Sequence, residues 1–515
     1  MNDKGADSMY ARTWGETTRG INGEMVTVEV DVTNGMPAFE MVGLPDTAVK
    51  EARERVKAAV KNSGFRFPDT HITVNLAPAD LKKDGAGLDL PIALGVLAAK
   101  KYVNLPEPMP VFAGELALDG SLRPVNGILP MILRARAEGL PSMFIPTGNA
   151  TEGELVDGIA VYTADNLGQI VDHFQGKQVL EPLAKKVLEL EKPLEDTVDF
   201  ADVQGQKVAK RALEIAAAGG HNVLMVGAPG AGKTMLARRL PSILPPMTEE
   251  EALEVTKIYS ISGLLKGRHG IMVERPFRSP HHTVSQSALI GGGSIPHPGE
   301  VTLSHHGVLF LDELPEFSRS ALEVLRQPLE DGMVTISRVQ ASLTYPARFI
   351  LVAAQNPCPC GFWGEEDNLH QCTCRPGDIA RYQKKISGPL LDRIDIQIHV
   401  PRLQYQEMKS RKKEESSAVI RQRVVAARQI QRERLKGTHL FCNASMGRRE
   451  VKAFCSLTPQ AETLLEKYFV SLGLSARSHD RIIKVARTIA DLAGSREITP
   501  LHLGEAIQLR TSIQG

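Results

Sequence analysis

Eight consecutive residues have types and spacing suited to holding phosphate groups. They follow the pattern G-x-x-x-x-G-K-T and are Gly227, Ala228, Pro229, Gly230, Ala231, Gly232, Lys233 and Thr234. The glycines allow backbone N–H groups to close around phosphate oxygens, where bulky side chains would block the approach. Lys233 has the length to reach β- and γ-phosphates, and Thr234 offers a hydroxyl to a magnesium ion. The pattern therefore predicts a site for ATP and Mg²⁺.

This loop works only if a strand precedes it and a helix follows it. HNVLMV, directly before Gly227, is typical of a buried strand, and MLARRL, directly after Thr234, continues as a helix as far as Pro241. The helix N-terminus adds partial positive charge to the anion site. A chance glycine-rich turn is the alternative, and the flanking elements argue against it.

Polar residues end two further apolar segments. Asp312 and Glu313 follow GVLFL, where an aspartate suits Mg²⁺ and a neighbouring glutamate suits polarisation of the attacking water. Asn356 ends RFILVAAQN, and a polar side chain at the carboxyl edge of a sheet faces the ligand crevice. We expect Asn356 to orient the water or contact the γ-phosphate. An acidic strand end is common in isolation, but beside the phosphate-binding loop the catalytic interpretation is favoured.

Arg393 lies in GPLLDRIDIQIHV, downstream of these three strands. An arginine supplied by a neighbouring subunit would stabilise the charge that develops during phosphoryl transfer. That role requires an oligomer. The alternative is a salt bridge within the chain, to Asp392 or Asp395.

Four of the six cysteines form two C-x-C pairs between Asn356 and Arg393. They are Cys358, Cys360, Cys372 and Cys374. Four thiolates complete a closed tetrahedral zinc site, which would brace a loop that has little core of its own. His370 is an alternative fourth ligand, and four unliganded thiols are the competing interpretation. Cys442 and Cys455 are interpreted as packing residues.

Two histidine doublets precede the acidic pair, His281–His282 and His305–His306. Adjacent histidines point in different directions in a strand or helix, and no carboxylate lies at ligand spacing. We therefore favour phosphate contact or structural hydrogen bonding over a metal site.

The composition bounds the class of protein. The chain has 515 residues, with 61 Lys+Arg against 60 Asp+Glu, so any contact with DNA would need a local basic surface. No apolar run reaches the length of a membrane helix, and the first residues lack the continuous apolar segment of a signal peptide, so we expect none. We expect a cytoplasmic protein with no membrane contact, in which thiols stay reduced.

The pattern of apolar residues divides the chain into four segments. Residues 1–175 mix strands and helices, 176–199 are charged and predicted to be a helical linker, 200–405 alternate strands with helices, and 406–515 are mainly helical. The alternating block predicts an α/β core with a doubly wound sheet. DGMVTISRVQASLTYPARF predicts a hairpin of Met333–Ser337 and Ala341–Tyr345, with Arg338, Val339 and Gln340 at the turn.

The order of these parts resembles an AAA+ ATPase, with Walker A, Walker B, sensor 1, an arginine finger and a helical lid. FRSPHHTVSQSALIGGG and DFADVQGQKVAKRAL resemble the magnesium-chelatase-like branch. That resemblance implies a second-sensor arginine at Arg477, with Arg481 as the competing choice. It also implies hairpins that project into the pore of a hexamer, where Arg338 would grip a phosphate; a solvated arginine is the alternative.

The N-terminal segment is similar to a Lon protease-type domain. KKDGAGLDLPIALGVLAA and AGELALDGSLRPVNGILPM carry the resemblance, but DGAGLDLP lacks the serine, and Leu129 stands at the position of the dyad lysine. Covalent peptide hydrolysis therefore has no nucleophile or base here. We expect a retained α+β scaffold.

The three segments together resemble the ComM/YifB family. The resemblance implies a homo-hexameric, ATP-driven helicase that acts on single-stranded and branched DNA, promoting branch migration during recombination in natural transformation. The alternatives are a magnesium-chelatase motor subunit, a protein-remodelling ATPase without DNA activity and a non-catalytic adaptor ring. The Lon-like front argues against the first and the intact catalytic residues against the last.

Overall fold

The computed structural model describes residues 9–83, 85–186, 198–265, 270–293, 296–338, 341–364, 371–402, 414–471 and 475–511. The chain forms two compact units. The first comprises Met1–Glu189 and Glu249–Met272, and the second comprises Leu190–Thr248 and Val273–Gly515.

A mixed sheet forms the centre of the first unit. Its strands lie in the order Ala38–Val42, His71–Ala77, Asn22–Thr33, Met9–Arg19, Val111–Phe112, Ser142–Pro146 and Ala160–Ala164. Met9–Arg19 pairs antiparallel with Asn22–Thr33, which pairs antiparallel with His71–Ala77, and the outer pairs are parallel. Alternate valines of Asn22–Thr33 are fully buried, which is the period-two pattern of a strand with one face in the core.

Helices cover this sheet at positions that local sequence predicts. Thr47–Asn62 begins after Asp46, whose carboxylate accepts a hydrogen bond from Val49 N at 2.7 Å, and ends before Gly64, which adopts a φ of 86°. The other helices of the unit are Asp89–Ala99, Ile128–Ala137, Ala150–Gly153, Leu167–Phe174 and Glu249–Ile261.

The helix Glu249–Ile261 belongs to the first unit, whereas the sequence analysis assigned it to the block 200–405. Ser260 Oγ donates to the buried carboxylate of Glu152 at 2.5 Å, and the same carboxylate accepts from Leu129 N at 3.0 Å. Burial raises the pKa of Glu152, although these hydrogen bonds oppose the rise. The helix is thus anchored to the first unit by contacts more than 100 residues apart in sequence, which no local pattern reveals.

The second unit is built on a five-stranded parallel sheet. The strands lie in the order Phe277–Arg278, Val308–Leu311, Ile350–Gln355, Val223–Val226 and Ile396–His399. The last four are almost wholly buried, as expected for strands covered on both faces. The predicted α/β core with a parallel sheet is therefore confirmed.

The described part of the second unit also contains helices. Lys207–Gly219, Lys233–Ile243, Gln286–Ile290, Glu300–Leu303, Arg319–Glu323, Arg326–Asp331, Pro376–Gln383 and Gly388–Leu391 lie in the α/β part. Ser417–Arg434, Arg448–Phe454, Pro459–Ser471, Ala476–Leu492 and Pro500–Thr511 form the helical C-terminal part. The last five share a continuous apolar core with the parallel sheet.

The predicted hairpin is present, but Arg338, which was predicted at the turn, is instead the last paired residue of its strand. Met333–Arg338 pairs antiparallel with Ala341–Pro346, with Arg338 opposite Ala341. Val339 and Gln340 lie outside the described residues, as does the side chain of Arg338. A smaller antiparallel pair joins Gly291–Gly292 to His297–Pro298.

The predicted helical linker is wrong where the structure describes it. Residues 176–186 contain no helix, and Leu183 N donates to Val161 O at 2.7 Å, along the edge of the first sheet. Residues 187–197 lie outside the described part. Across the described ranges, no helix is both long and apolar enough to cross a membrane.

Candidate functional site

The phosphate-binding loop joins the buried strand Val223–Val226 to the helix Lys233–Ile243. Gly230 and Gly232 adopt φ values of 79° and 90°, which favour glycine. A Cβ on Gly227 would lie 2.2 Å from the carbonyl oxygen of Val400, so the loop also passes too close to its neighbour for any side chain. The glycines of the pattern are thus required by backbone geometry.

Lys233 and Thr234 meet the residues predicted at the strand ends. Lys233 Nζ donates to the carbonyl oxygens of Gly227 and Ala228 at 2.6 and 2.9 Å, and to Asn356 Oδ1 at 3.2 Å. Thr234 Oγ1 donates to Asp312 Oδ2 at 2.7 Å. The three strands are neighbours in one parallel sheet, which brings their carboxyl ends to the same edge.

Glu313 stands apart from Asp312 because the backbone turns sharply there. Its φ is 52°, unusual for a residue with a side chain, and its N–H donates to Asp312 Oδ1 at 2.9 Å. Its carboxylate lies 3.2 Å from His282 Nδ1. His282 therefore contacts the candidate water-polarising residue, a pairing that sequence spacing did not predict.

The other histidine doublet has a structural contact. His305 is buried, and its Nδ1 accepts a hydrogen bond from Arg348 N at 3.0 Å. A structural hydrogen bond is one of the two roles expected for the doublets, the other being contact with phosphate.

Arg393 is held within its own chain, but not by the predicted partners. It pairs with Glu330, while its Nε and Nη1 donate to the carbonyl oxygens of Arg326 and Pro389 at 3.1 and 2.8 Å. The alternative considered for Arg393 was an ion pair within the chain to Asp392 or Asp395; the structure gives it Glu330 instead, and Asp395 pairs with Arg481 and His221.

Arg481 is the residue that pairs with Asp395, at 2.5 Å. Burial opposes ionisation of Asp395, but Arg481 and His221 outweigh it and hold the pKa of that carboxyl well below its usual range. Arg477 lies in the first turn of Ala476–Leu492 with its side chain exposed. Of the two candidate lid arginines, Arg481 thus has a buried structural partner and Arg477 faces solvent.

The four clustered cysteines converge although their two pairs are separated in sequence. Sγ of Cys358 lies 3.3 Å from that of Cys360 and 3.7 Å from that of Cys372, and Cys360 N donates to Cys374 Sγ at 3.4 Å. All four sulfurs lie within 4.8 Å of one another. Four sulfurs at ~2.3 Å from a zinc ion would be ~3.8 Å apart, so the donor set fits the metal.

The environment of Cys360 favours the thiolate that a metal requires. Burial opposes ionisation of Cys360, but hydrogen bonds from the backbone N–H groups of Phe362 and Thr373, and from the thiols of Cys358 and Cys374, outweigh it and lower its pKa to about 6. Backbone hydrogen bonds favour the thiolates of Cys372 and Cys374, but burial and the neighbouring sulfurs outweigh them and raise both pKa values, because adjacent thiolates repel one another. His370, the alternative ligand, lies outside the described residues.

The cysteine-bearing loop packs directly on the phosphate-binding loop. Gly361 has a φ of 89°, and a Cβ there would lie 2.5 Å from Cδ of Pro229. Arg402 donates to Pro229 O at 3.1 Å, and its guanidinium lies 5.1 Å from the centre of the Phe362 ring. Neither Gly361 nor Arg402 was predicted from the sequence; the glycine beside C-x-C was the only signal for either.

The position of the Lon-type dyad is occupied by structural contacts. Leu129 is fully buried and donates its N–H to Glu152. Asp89, in the segment expected to hold the serine, is buried and pairs with Arg55 at 2.6 Å.

Three family matches cover most of the chain. Residues 199–408 match the family described as magnesium chelatase, subunit ChlI. Residues 28–149 match subunit ChlI of Mg-chelatase, and residues 414–510 match the ChlI C-terminal family.

Relatives that align over the full length belong to a narrower group than these family matches. The chain is 44% identical over 509 residues to competence protein ComM of Haemophilus influenzae, covering 98% of each protein. It is 45% identical over 497 residues to YifB of Salmonella typhimurium, covering 95% of each. A magnesium-chelatase 67 kDa subunit of Chlorobaculum parvum is 29% identical over 166 residues, 31% of this chain and 23% of that protein. The chain therefore belongs to the ComM/YifB family, within the magnesium-chelatase-like AAA+ proteins.

Proposed function

We propose that this protein is a homo-hexameric motor that hydrolyses ATP at the edge of its parallel sheet. The observation that carries the proposal is the convergence of Lys233 with Asn356 and of Thr234 with Asp312, at 3.2 and 2.7 Å. These are the groups that P-loop enzymes bring to the phosphates, and here they come from three adjacent strands.

Each residue has a role that its position supports. Lys233 exchanges neutral carbonyl partners for phosphate oxygens, which bind an ammonium more strongly because they are charged. Thr234 and Asp312 would hold Mg²⁺, which neutralises phosphate charge when bound. Glu313 polarises the attacking water, and Asn356 orients it.

A second copy completes the site in this proposal. Arg393 acts on the ATP of the neighbouring subunit, and Arg477 contacts the nucleotide of its own. The exposure of Arg477, in contrast to the paired Arg481, supports that choice.

We further propose that the motor acts on single-stranded and branched DNA and drives branch migration in recombination during natural transformation. The support is the 44% sequence identity to a competence protein, in an alignment that covers 98% of the chain. The hairpin supports it as well, since Arg338 at its end would grip a phosphate of the DNA backbone.

A chelatase-type or protein-remodelling motor is the second candidate. The N-terminal segment, residues 28–149, itself matches a family described as a chelatase subunit, which weakens the sequence argument that this segment separates the two functions. Stimulation of ATP turnover by DNA distinguishes the candidates.

We also infer a resident zinc ion and a cytoplasmic location. All six cysteines, each among the described residues, are free thiols, as is usual in a reducing compartment. In this scheme residues 1–175 are a Lon-like scaffold, 176–199 a linker, 200–405 the ATPase core and 406–515 the lid.

The test uses purified protein, Mg²⁺, ATP and a labelled four-stranded DNA junction. Strand products and phosphate release are followed together, with Lys233→Ala to remove the phosphate contact and Lys436→Ala, an exposed lysine, as the matched control. We expect the junction to resolve into duplexes and DNA to raise ATP turnover, with both lost in Lys233→Ala only.

ATP turnover that ignores every DNA tested would overturn the DNA assignment and favour the second candidate. Turnover that survives in Lys233→Ala would overturn the nucleotide site itself.

A further inference from the structure

A cavity of about 990 Å³ lies in the second unit beside Arg393. The hairpin strand Met333–Arg338 lines one side, and the helix Arg326–Asp331 lines another. Its charged lining consists of Glu323, Arg326, Glu330, Asp331 and Arg393. This is the setting in which the candidate finger is held.

The contacts of Arg393 are of two kinds. Its Nε and Nη1 donate to backbone carbonyl oxygens, of Arg326 at 3.1 Å and Pro389 at 2.8 Å, which fix the inner part of the guanidinium. Its Nη2 pairs with the carboxylate of Glu330. The arginine side chain is 10% exposed and the Glu330 side chain 55%, so the carboxylate is the partner with room to leave.

An incoming phosphate would need the position that Glu330 occupies. A phosphate oxygen and a carboxylate compete for the same N–H group of a guanidinium, because both accept the same charge-assisted hydrogen bond. The cavity has three carboxylates against two guanidiniums, and Glu323 pairs with Arg326 at 2.9 Å. With Glu330 in place, the Nη2 group of Arg393 that a phosphate oxygen would need is therefore already occupied.

We propose that Glu330 is a latch on Arg393, standing where the terminal phosphate of a neighbouring copy's ATP must bind. Glu330 does not touch the substrate; it is a positioning residue that acts through Arg393. The proposal rests on the proposed function, in which Arg393 serves the adjacent subunit.

The latch is connected to the hairpin by two residues. Glu330 lies in the last turn of Arg326–Asp331, which stops at Gly332 with a φ of 66°. Ala347 N donates to Gly332 O at 2.8 Å and closes the base of the hairpin that begins at Met333. A displacement of the hairpin therefore also moves Glu330. A ligand that binds the hairpin can in this way release Arg393 from Glu330.

The experiment compares Glu330→Gln with Asp331→Asn, which makes the same charge change one residue further along the cavity wall. ATP turnover is measured over a range of protein concentrations, with and without single-stranded DNA. For Glu330→Gln we expect DNA-independent kcat to rise at least about threefold with little change in KM, and stimulation by DNA to shrink accordingly. Asp331→Asn should behave as the wild type.

The double variant Glu330→Gln/Arg393→Ala tests whether Glu330 acts through Arg393. A latch that acts through Arg393 has no effect once the arginine is gone, so the double variant should match Arg393→Ala. If Glu330→Gln yields poorly folded protein, Glu330→Asp keeps the charge on a shorter side chain and should give a smaller increase.

The outcomes distinguish a failure of the latch from a failure of the proposed function. A DNA-independent rate in Glu330→Gln that is equal to or below that of Asp331→Asn overturns the latch. Wild-type turnover in Arg393→Ala overturns the finger, and with it the proposed assembly of the site.

Discussion

Glu16 is a carboxyl group placed where ionisation is unfavourable. It lies on Met9–Arg19 with its side chain fully buried, and neither carboxylate oxygen has a hydrogen-bond partner among the described residues. A Cβ on Gly23 would lie 2.7 Å from Glu16 Oε2, so only a residue without a side chain fits beside this carboxyl group. Burial raises the pKa of Glu16 to about 9. The native protein therefore keeps a proton on Glu16 at neutral pH, whereas the unfolded chain loses it near 4.5.

This difference predicts a pH-dependent cost to stability. The unfolded state binds fewer protons between pH 4.5 and 9, so the free energy of unfolding contributed by Glu16 is full below that window and falls as the pH rises through it. At pH 7 the loss is on the order of 3 kcal/mol. Glu16→Gln, neutral at every pH, should match the wild type in urea unfolding at pH 4 and exceed it increasingly towards pH 9. Glu40→Gln, an exposed carboxyl, should show no such trend; parallel pH profiles for wild type and Glu16→Gln would contradict the assignment.

At the scale of elements, local periodicity predicted most strands and helices, because apolar residues recur at the spacing of each buried face. It also located Asp312 and Asn356, since a polar residue that ends an apolar strand must lie at the sheet edge. It did not predict that Arg393 pairs with Glu330, 63 residues away, or that Arg402 contacts Pro229, 173 residues away. Such contacts depend on how finished elements pack, and no local pattern records them. The prediction of a helical linker was wrong for the same reason. Its charge pattern suited a helix, but residues near Leu183 add to a sheet edge instead.

The cysteine-bearing loop is the element whose packing has the clearest consequence for the site. Because Gly361 abuts Pro229, metal at the four cysteines should stabilise the phosphate-binding loop as well as its own. Purified protein should contain about one zinc per chain, and Cys374→Ser should lose it and bind ATP about tenfold more weakly, or ~1.4 kcal/mol. Cys442→Ser, outside the cluster, should keep both properties. Metal analysis that finds no zinc in the wild type, with all four thiols open to titration, would rule the site out.

The chain leaves the second unit shortly after the phosphate-binding loop, passes through the first unit and then returns. The helix Lys233–Ile243 leads through Leu244–Thr248 into Glu249–Met272, and the chain returns to the second unit at Val273. The helix Glu249–Ile261 buries Val255, Ile258 and other apolar side chains and is held through Ser260. Removing residues 1–189 would therefore expose these apolar side chains to water.

The assembled molecule should require two copies for each reaction. If ATP is bound by the loop of one copy and acted on by Arg393 of the next, Lys233→Ala and Arg393→Ala each inactivate a ring by a different route. Mixed at random in equal amounts, about one neighbouring pair in four joins an intact phosphate-binding loop to an intact arginine. The mixture should therefore recover about a quarter of wild-type turnover, measured as phosphate release after the subunits have exchanged, while each variant alone stays inactive. Recovery must depend on exchange, because rings kept apart contain no such pair. A mixture that stays inactive although mass measurement shows mixed rings would mean that Arg393 serves its own subunit, and the contact with Glu330 would then be a structural ion pair.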